Sequence, residues 1–440
     1  MGTVLEELAS RWSCLSAADL PDEAAEVAGQ CLLDWFGCAL AGSREPLAEM
    51  LRLELAGPGA CTIVGTNRAA SARDAALLNG AAGHALDFDD THTLLSGHPT
   101  APVLPAVLAV AEERDLDGAA LLAAFVAGVE VECRVGALLA PDHYRAGWHA
   151  TATIGTIGAA AAVAHLLRLD PRRTAHALAL AATQAAGVKA SFGTMAKPLH
   201  AGKAATDGLL AAALAARGFT GNPAVLEGPQ GLAQAAGGVQ IDRSRLERLE
   251  SRWTIRDTLF KYHAACYLTH ASINAALALD VSPEQIASVE LHVGEDLLKV
   301  CNIAEPATGL EAKFSLRATA AMALLGDDTT DMAAYRDDRM VASDLIALRD
   351  KVRVVPLGDR PTTRSKVVVT TIDGQKLQAE HDTGIPATDL GLQMARLSSK
   401  FHGLAAQVLG EEGAEHLRRA VLDQAGGRVL AELSRPSARA

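Results

Sequence analysis

Residues 83–105 read GHALDFDDTHTLLSGHPTAPVLP and place His84, Asp87, Asp89, Asp90, Thr91, His92 and His98 in one short stretch ahead of a helical pattern. Imidazole titrates near neutral pH and a neighbouring carboxylate can orient it, so this density of groups suits proton transfer. Two other readings stay open at this point: Asp and Thr also cap helices and form turns, and a His/Asp cluster can be a solvated loop. No HExxH or CxxC spacing accompanies the stretch, so a metal site is not expected.

Three further segments carry reactive side chains. HYRAGWHATAT, 143–153, puts His149 just before a helix rich in small residues, where outward-pointing N–H groups suit a carboxylate. Gly155 and Gly158 do not complete a dinucleotide fingerprint, because no strand precedes them and the third glycine is missing. KASFGTMAKPLHAGK, 189–203, holds three lysines and His200 inside a run, Pro171 to Thr206, with no Asp or Glu. It is the best candidate for a locally positive pocket, with solvated surface lysines as the plainer reading. The residue before a proline is held extended, which would fix the direction of Lys197. KYHAACYLTHASIN, 261–274, adds Lys261, His263 and His270.

The elements that must position these segments follow from periodicity. Helical spacing of apolar residues predicts helices over 24–41, 105–114, 118–139, 154–167, 174–187 and 204–217, the last stopped by Gly218, Gly221 and Pro223. The only strand signal in this half is at 60–64. Beyond about residue 255, β-branched runs at 286–293, 351–355 and 366–372 read as strands, and Asp373-Gly374 leads into 375–380 as a hairpin. A helix is expected at 315–325, and an amphipathic helical segment closes the chain before a frayed tail, SRPSARA. The expected fold is therefore mostly α with a smaller α+β domain: 1–255 helical, 256–390 α+β, and 391–440 a helical return to the first domain.

Bulk properties narrow the partners. The 440 residues are 49% hydrophobic but only 4% aromatic, which favours helices packed through Ala and Gly. A net charge of −12 argues against nucleic acid and anionic membranes as partners. Residues 146–167 are uncharged, but Ala, Gly and Thr transfer poorly into lipid, so a buried helix is expected there and no membrane span. The start of the chain does not read as a secretory signal, and seven scattered cysteines without a CxxC pair read as reduced core residues of a cytoplasmic protein.

Taken together, GHALDFDDTH with GHP at 97–99, AGWHATATIG, FGTMAKPLHAGKAA with ARGFTG, the 261–270 segment and EAKFSL at 311–316 resemble the MmgE/PrpD family, in order and spacing, across nearly the whole chain. The resemblance implies a large, sequence-discontinuous helical domain with an α+β lid, working as a homodimer without metal or organic cofactor on a small anionic carboxylate substrate. It places the family's active-site Asp and Thr at Asp87 and Thr91, its histidines at His98 and His149, and its lysines at Lys197 and Lys261. Such chemistry moves a proton at a carbon beside a carboxylate. Lysines would neutralise the carboxylate as an enediolate-like species forms, and two imidazoles would serve as acid and base. His200, Lys203 and Arg317 are further candidates for substrate binding, Arg317 either by a bidentate grip or only as a helix cap. Decarboxylase members carry a tyrosine soon after the FSL phrase, where Arg317 and Ala318 stand here. The expectation is a lyase of a small di- or tricarboxylate, a dehydratase first and an epimerase second, with a decarboxylase or a non-catalytic carboxylate-binding relative behind them.

Overall fold

The computed structural model describes residues 2–55 and 57–437, so the last three residues of the expected frayed tail lie outside the described residues. The chain forms two compact units, Met1–Phe260 with Ala387–Ala440, and Lys261–Pro386. The fold is mostly α with a smaller α+β unit.

The first unit is a stack of helices whose ends are set by local chemistry. The Asp117 side chain accepts from Ala120 N–H to start Gly118–Leu139, and Asp170 does the same for Pro171–Gln184, with proline in the first turn. Gly218, at φ +89°, ends Ala196–Ala216 in the left-handed region that glycine enters freely. The helix Ala150–Leu166 is buried along almost its whole length. No helix of the described residues is long and apolar enough to cross a membrane.

Small residues let these helices touch backbone to backbone. A Cβ on Gly202 would stand 2.2 Å from the Leu77 carbonyl oxygen, and one on Gly80 would stand 2.9 Å from Gly202 Cα. The helices Ala72–His84 and Ala196–Ala216 therefore cross where no side chain fits, which holds His84 and the Lys197 turn near each other. Leu390–Leu422, broken at Gly410 (φ 72°), packs along Asp22–Gly42. Gln30 donates to Leu390 O at 3.0 Å and accepts from Gln393 at 2.6 Å, and Lys400 Nζ pairs with Asp34 at 2.6 Å.

In the second unit a four-stranded sheet runs in the order Val352–Leu357, Ile286–Gly294, Arg364–Thr371, Lys376–Asp382, the first pair parallel and the others antiparallel. Val289, Leu291 and Val293 alternate inward, and the helices Tyr267–Leu277 and Leu316–Leu325 pack in the same unit. Gly374, at φ +86°, makes the expected hairpin turn.

Several boundaries differ from the sequence reading. Helices begin earlier than apolar periodicity indicates, at Thr100, Ala150, Pro171 and Ala196, because their first turns hold Thr, Pro, Arg or Lys among small residues, which breaks the apolar repeat even where those residues are buried, as at Thr100 and 150–153. The expected extended Lys197-Pro198 is instead helical: Pro198 is the third residue of its helix, where an N–H has no intrahelical partner and a proline costs little. The strand at 60–64 shrinks to Cys61–Thr62, paired with Ala69–Ala70. Of the cysteines, Cys14 is exposed and Cys266 only partly buried, and the other five are buried.

Candidate active site

Four helix ends in the first unit meet at the loop 85–99. Ala72–His84 finishes there, and Thr100–Glu113, Ala150–Leu166 and Ala196–Ala216 begin there. The loop is held at several points. Thr91 exchanges backbone hydrogen bonds with Leu259 at 2.7 and 2.8 Å, and its hydroxyl donates to Gly97 O at 3.1 Å. His98 N–H donates to Thr151 Oγ1 at 3.0 Å, and Lys400 donates to Phe88 O at 2.6 Å. Helix N-termini carry partial positive charge, so their convergence favours an anion.

Within this frame the side chains form a chain of proton-exchanging groups. Lys197 Nζ lies 2.7 Å from Asp87 Oδ1, which is 3.6 Å from His98 Nε2. The other ring nitrogen, His98 Nδ1, faces Asp89 Oδ2 at 3.2 Å, off the line of an ideal hydrogen bond. Asp89 also accepts from His84 Nδ1 at 2.9 Å. Asp89 thereby orients two imidazoles and leaves His98 Nε2 as the nitrogen on the Asp87 and Lys197 side. Asp87 has φ +50°, a conformation that aspartate tolerates but that is uncommon outside constrained sites.

A second group adjoins the first. The His84 ring stacks on His149 with centroids 5.9 Å apart and lies 4.5 Å from that of His98. His149, the N-cap of its helix, contacts His200, Nδ1 to Nδ1, at 3.2 Å, and Phe192 packs edge-on against it at 5.0 Å. His84 Nε2 and His149 Nε2 are buried and have no hydrogen-bond partner among the described residues. A buried polar atom left unpaired is costly, so such atoms mark where a ligand's polar groups belong.

The electrostatics are uneven. Burial alone would raise Asp89, but the imidazoles of His84 and His98 outweigh it and hold its carboxyl well below the usual range. His84 is pushed down to about 4, chiefly by burial and despite Asp89, with Lys197 and His98 adding to the effect. His149 is driven well down by burial, foremost, and by its neighbours His84, Lys197, His98 and His200, and His200 is lowered by burial and Lys197. One ligand atom each from His84, Asp87, Asp89 and His98 lies within 4.8 Å of the others, a composition that could hold a cation and that motif spacing did not disclose. The Lys197 ammonium already supplies positive charge to Asp87, and both imidazole Nδ1 atoms face Asp89, so the arrangement reads as a proton chain.

The structure thus brings together Asp87, His98, His149, Lys197 and His200. Lys203 is placed elsewhere: it is exposed, on another face of the same helix, and pairs with Asp207 one turn on, so it does not join the cluster. Lys261, fully buried, and Arg317, which donates to Asn302 Oδ1 at 3.1 Å, belong to the second unit. Sequence reasoning counted His84 and Asp89 among the proton-transfer groups of that stretch but gave neither a role of its own. Only the five-residue spacing across a helix end hinted at their pairing.

Comparison with known proteins gives a consistent family. The MmgE/PrpD N-terminal domain matches residues 6–243 and the MmgE/PrpD C-terminal domain residues 263–425. A cis-aconitate decarboxylase-like protein of Aspergillus oryzae is 31% identical over 66% of this chain and 64% of its own length. The cis-aconitate decarboxylase of Aspergillus terreus is 32% identical over 62% and 59%, and that of Mus musculus 29% identical over 78% and 74%. The chain therefore spans less than two thirds of the length of these fungal relatives.

Proposed function

Because the chain belongs to the MmgE/PrpD family, we propose that it is a lyase acting on a small tricarboxylate, with cis-aconitate as the leading substrate and carbon dioxide as the group lost. The observation that carries this reading is the pair of dissimilar imidazoles in one cluster, His98 oriented by Asp89 and His149 with no carboxylate partner among the described residues, with Lys197 beside them. The relatives' names supply the substrate, and the convergence of helix N-termini supports an anion there.

In this reading the C–C bond to one carboxylate breaks, carbon dioxide leaves, and the electron pair spreads into the remaining unsaturated carboxylate. Lys197, released from Asp87 by the incoming anion, would neutralise that charge, and one imidazole would deliver a proton to carbon. Asp87 would return the lysine between turnovers. Dehydration is the second reading, favoured by the same two imidazoles: a proton leaves the carbon beside a carboxylate, a C=C bond forms, and the hydroxyl departs with a proton from the second ring.

The test is proton NMR of the purified protein with cis-aconitate, citrate and 2-methylcitrate in deuterated water. Loss of cis-aconitate with release of carbon dioxide and one deuterium in the product supports decarboxylation. A new alkene from a hydroxylated acid supports dehydration, and solvent deuterium entering without loss of mass would indicate an epimerase instead. No change in any acid would refute the proposal.

A further inference from the structure

We infer that His149 and His200 share one proton across their Nδ1 atoms, and that His200 is a positioning residue which switches His149 between acid and base and connects it to solvent. This rests on the proposed acid/base role of His149. A contact of 3.2 Å between two Nδ1 atoms is favourable only if one of them carries hydrogen and the other does not. Two neutral arrangements satisfy that condition. When His149 Nδ1 donates, its Nε2 is bare and can accept a proton. When His200 Nδ1 donates, His149 Nε2 carries hydrogen and can give one up. His149 Nε2 is buried and has no hydrogen-bond partner among the described residues, so the switch acts at the atom that would meet substrate.

The surroundings explain why such a device is needed. Burial, foremost, and the neighbouring His84, Lys197, His98 and His200 oppose the charging of His149. An isolated imidazole there would resist holding a second proton. In the pair, a proton taken up at His149 Nε2 moves one from His149 Nδ1 to His200 Nδ1, and the proton on His200 Nε2 leaves to water, so neither ring stays charged. His200 is only half-buried and can make that last transfer. Gly187 holds the two rings in register: its carbonyl accepts from His149 N–H at 3.1 Å, and with φ +128° a Cβ there would stand 3.2 Å from His200 Nδ1.

The pairing is tested without substrate, by nitrogen NMR of protein labelled with [15N]histidine, the two rings being assigned from His149→Gln and His200→Asn spectra. One Nδ1 protonated and the other bare is the expected result, and both bare or both protonated would overturn the inference. The relay is tested by turnover. In His200→Asn the amide oxygen replaces Nδ1 as a hydrogen-bond partner but cannot pass a proton, so kcat falls about 10- to 100-fold with KM little changed. In His200→Ala, added imidazole restores part of the rate. A His200→Asn protein with normal kcat, or a His200→Ala protein that imidazole does not help, would also overturn it. If the wild-type protein turns over no tricarboxylate, the proposed function falls while the NMR result still decides the pairing.

Discussion

Replacing Asp90 by asparagine should make the protein more stable in mild alkali, which is an unusual result for a change beside a candidate active site. Asp90 is 1% exposed and accepts from Thr100 through both its N–H, at 3.3 Å, and its hydroxyl. Burial, foremost, and the neighbouring charges of Asp89 and Asp34 raise it from 3.8 to about 8. A carboxyl raised in the folded state contributes stability that is fully present below its unfolded value and is lost as pH rises through the folded one. One pH unit of difference corresponds to about 1.4 kcal/mol, so between about pH 6 and pH 8 this site removes about 2 kcal/mol. Asparagine keeps an oxygen for the Thr100 N–H and an amide for its hydroxyl, and it does not ionise. Nearby Glu132 is raised well up by burial and, next, by the charge of Asp90, so the substitution also relieves Glu132 and shifts stability in the same direction. The assay is urea unfolding followed by tryptophan fluorescence, since Trp12, Trp35, Trp148 and Trp253 all lie in the first unit. Asp90→Asn should gain about 2 kcal/mol on the wild type over that interval. Parallel stability curves would refute the buried, protonated Asp90.

Other changes follow from the same geometry. Asp89→Asn leaves the shape but removes the charge that orients His84 and His98, and kcat should fall by about a hundredfold or more with the fold retained, as read by turnover beside circular dichroism. Gly97→Ala would bring a Cβ 2.9 Å from Thr151 N and Oγ1, the latter being the acceptor for His98 N–H; stability should drop by about 1–3 kcal/mol in unfolding assays, and activity with it. Because the Lys197 ammonium pairs with the Asp87 carboxylate, dialysis against EDTA should leave turnover unchanged, and an activity lost there and restored by a divalent ion would reassign the cluster as a metal centre.

How far the sequence reaches is clearest at individual elements. Gly118–Leu139 is legible to the residue because an aspartate cap precedes an unbroken apolar stretch. The Ala196 helix is not, since its first turns hold Lys, Pro and His, whose types suggest a loop and whose burial is decided by a neighbouring helix. That error hid the difference between Lys197 and Lys203, which only a helical phase separates into one buried and one exposed ammonium. The fold class was legible from the change of period near residue 255. Within the cluster, residue types at Asp87, His98, His149 and Lys197 drew attention to segments that the fold brings together. The pairings of Asp89 with two rings and of His149 with His200 depend on helix crossings at glycines such as Gly80 and Gly202, a tertiary fact without a local pattern.

The most direct test of the account is turnover of cis-aconitate by His98→Gln and His149→Gln, measured beside calorimetric binding of the same acid. Each variant should still bind while kcat falls by about a hundredfold or more. Variants that turn over at the wild-type rate would contradict the assignment of these two imidazoles as the acid and base.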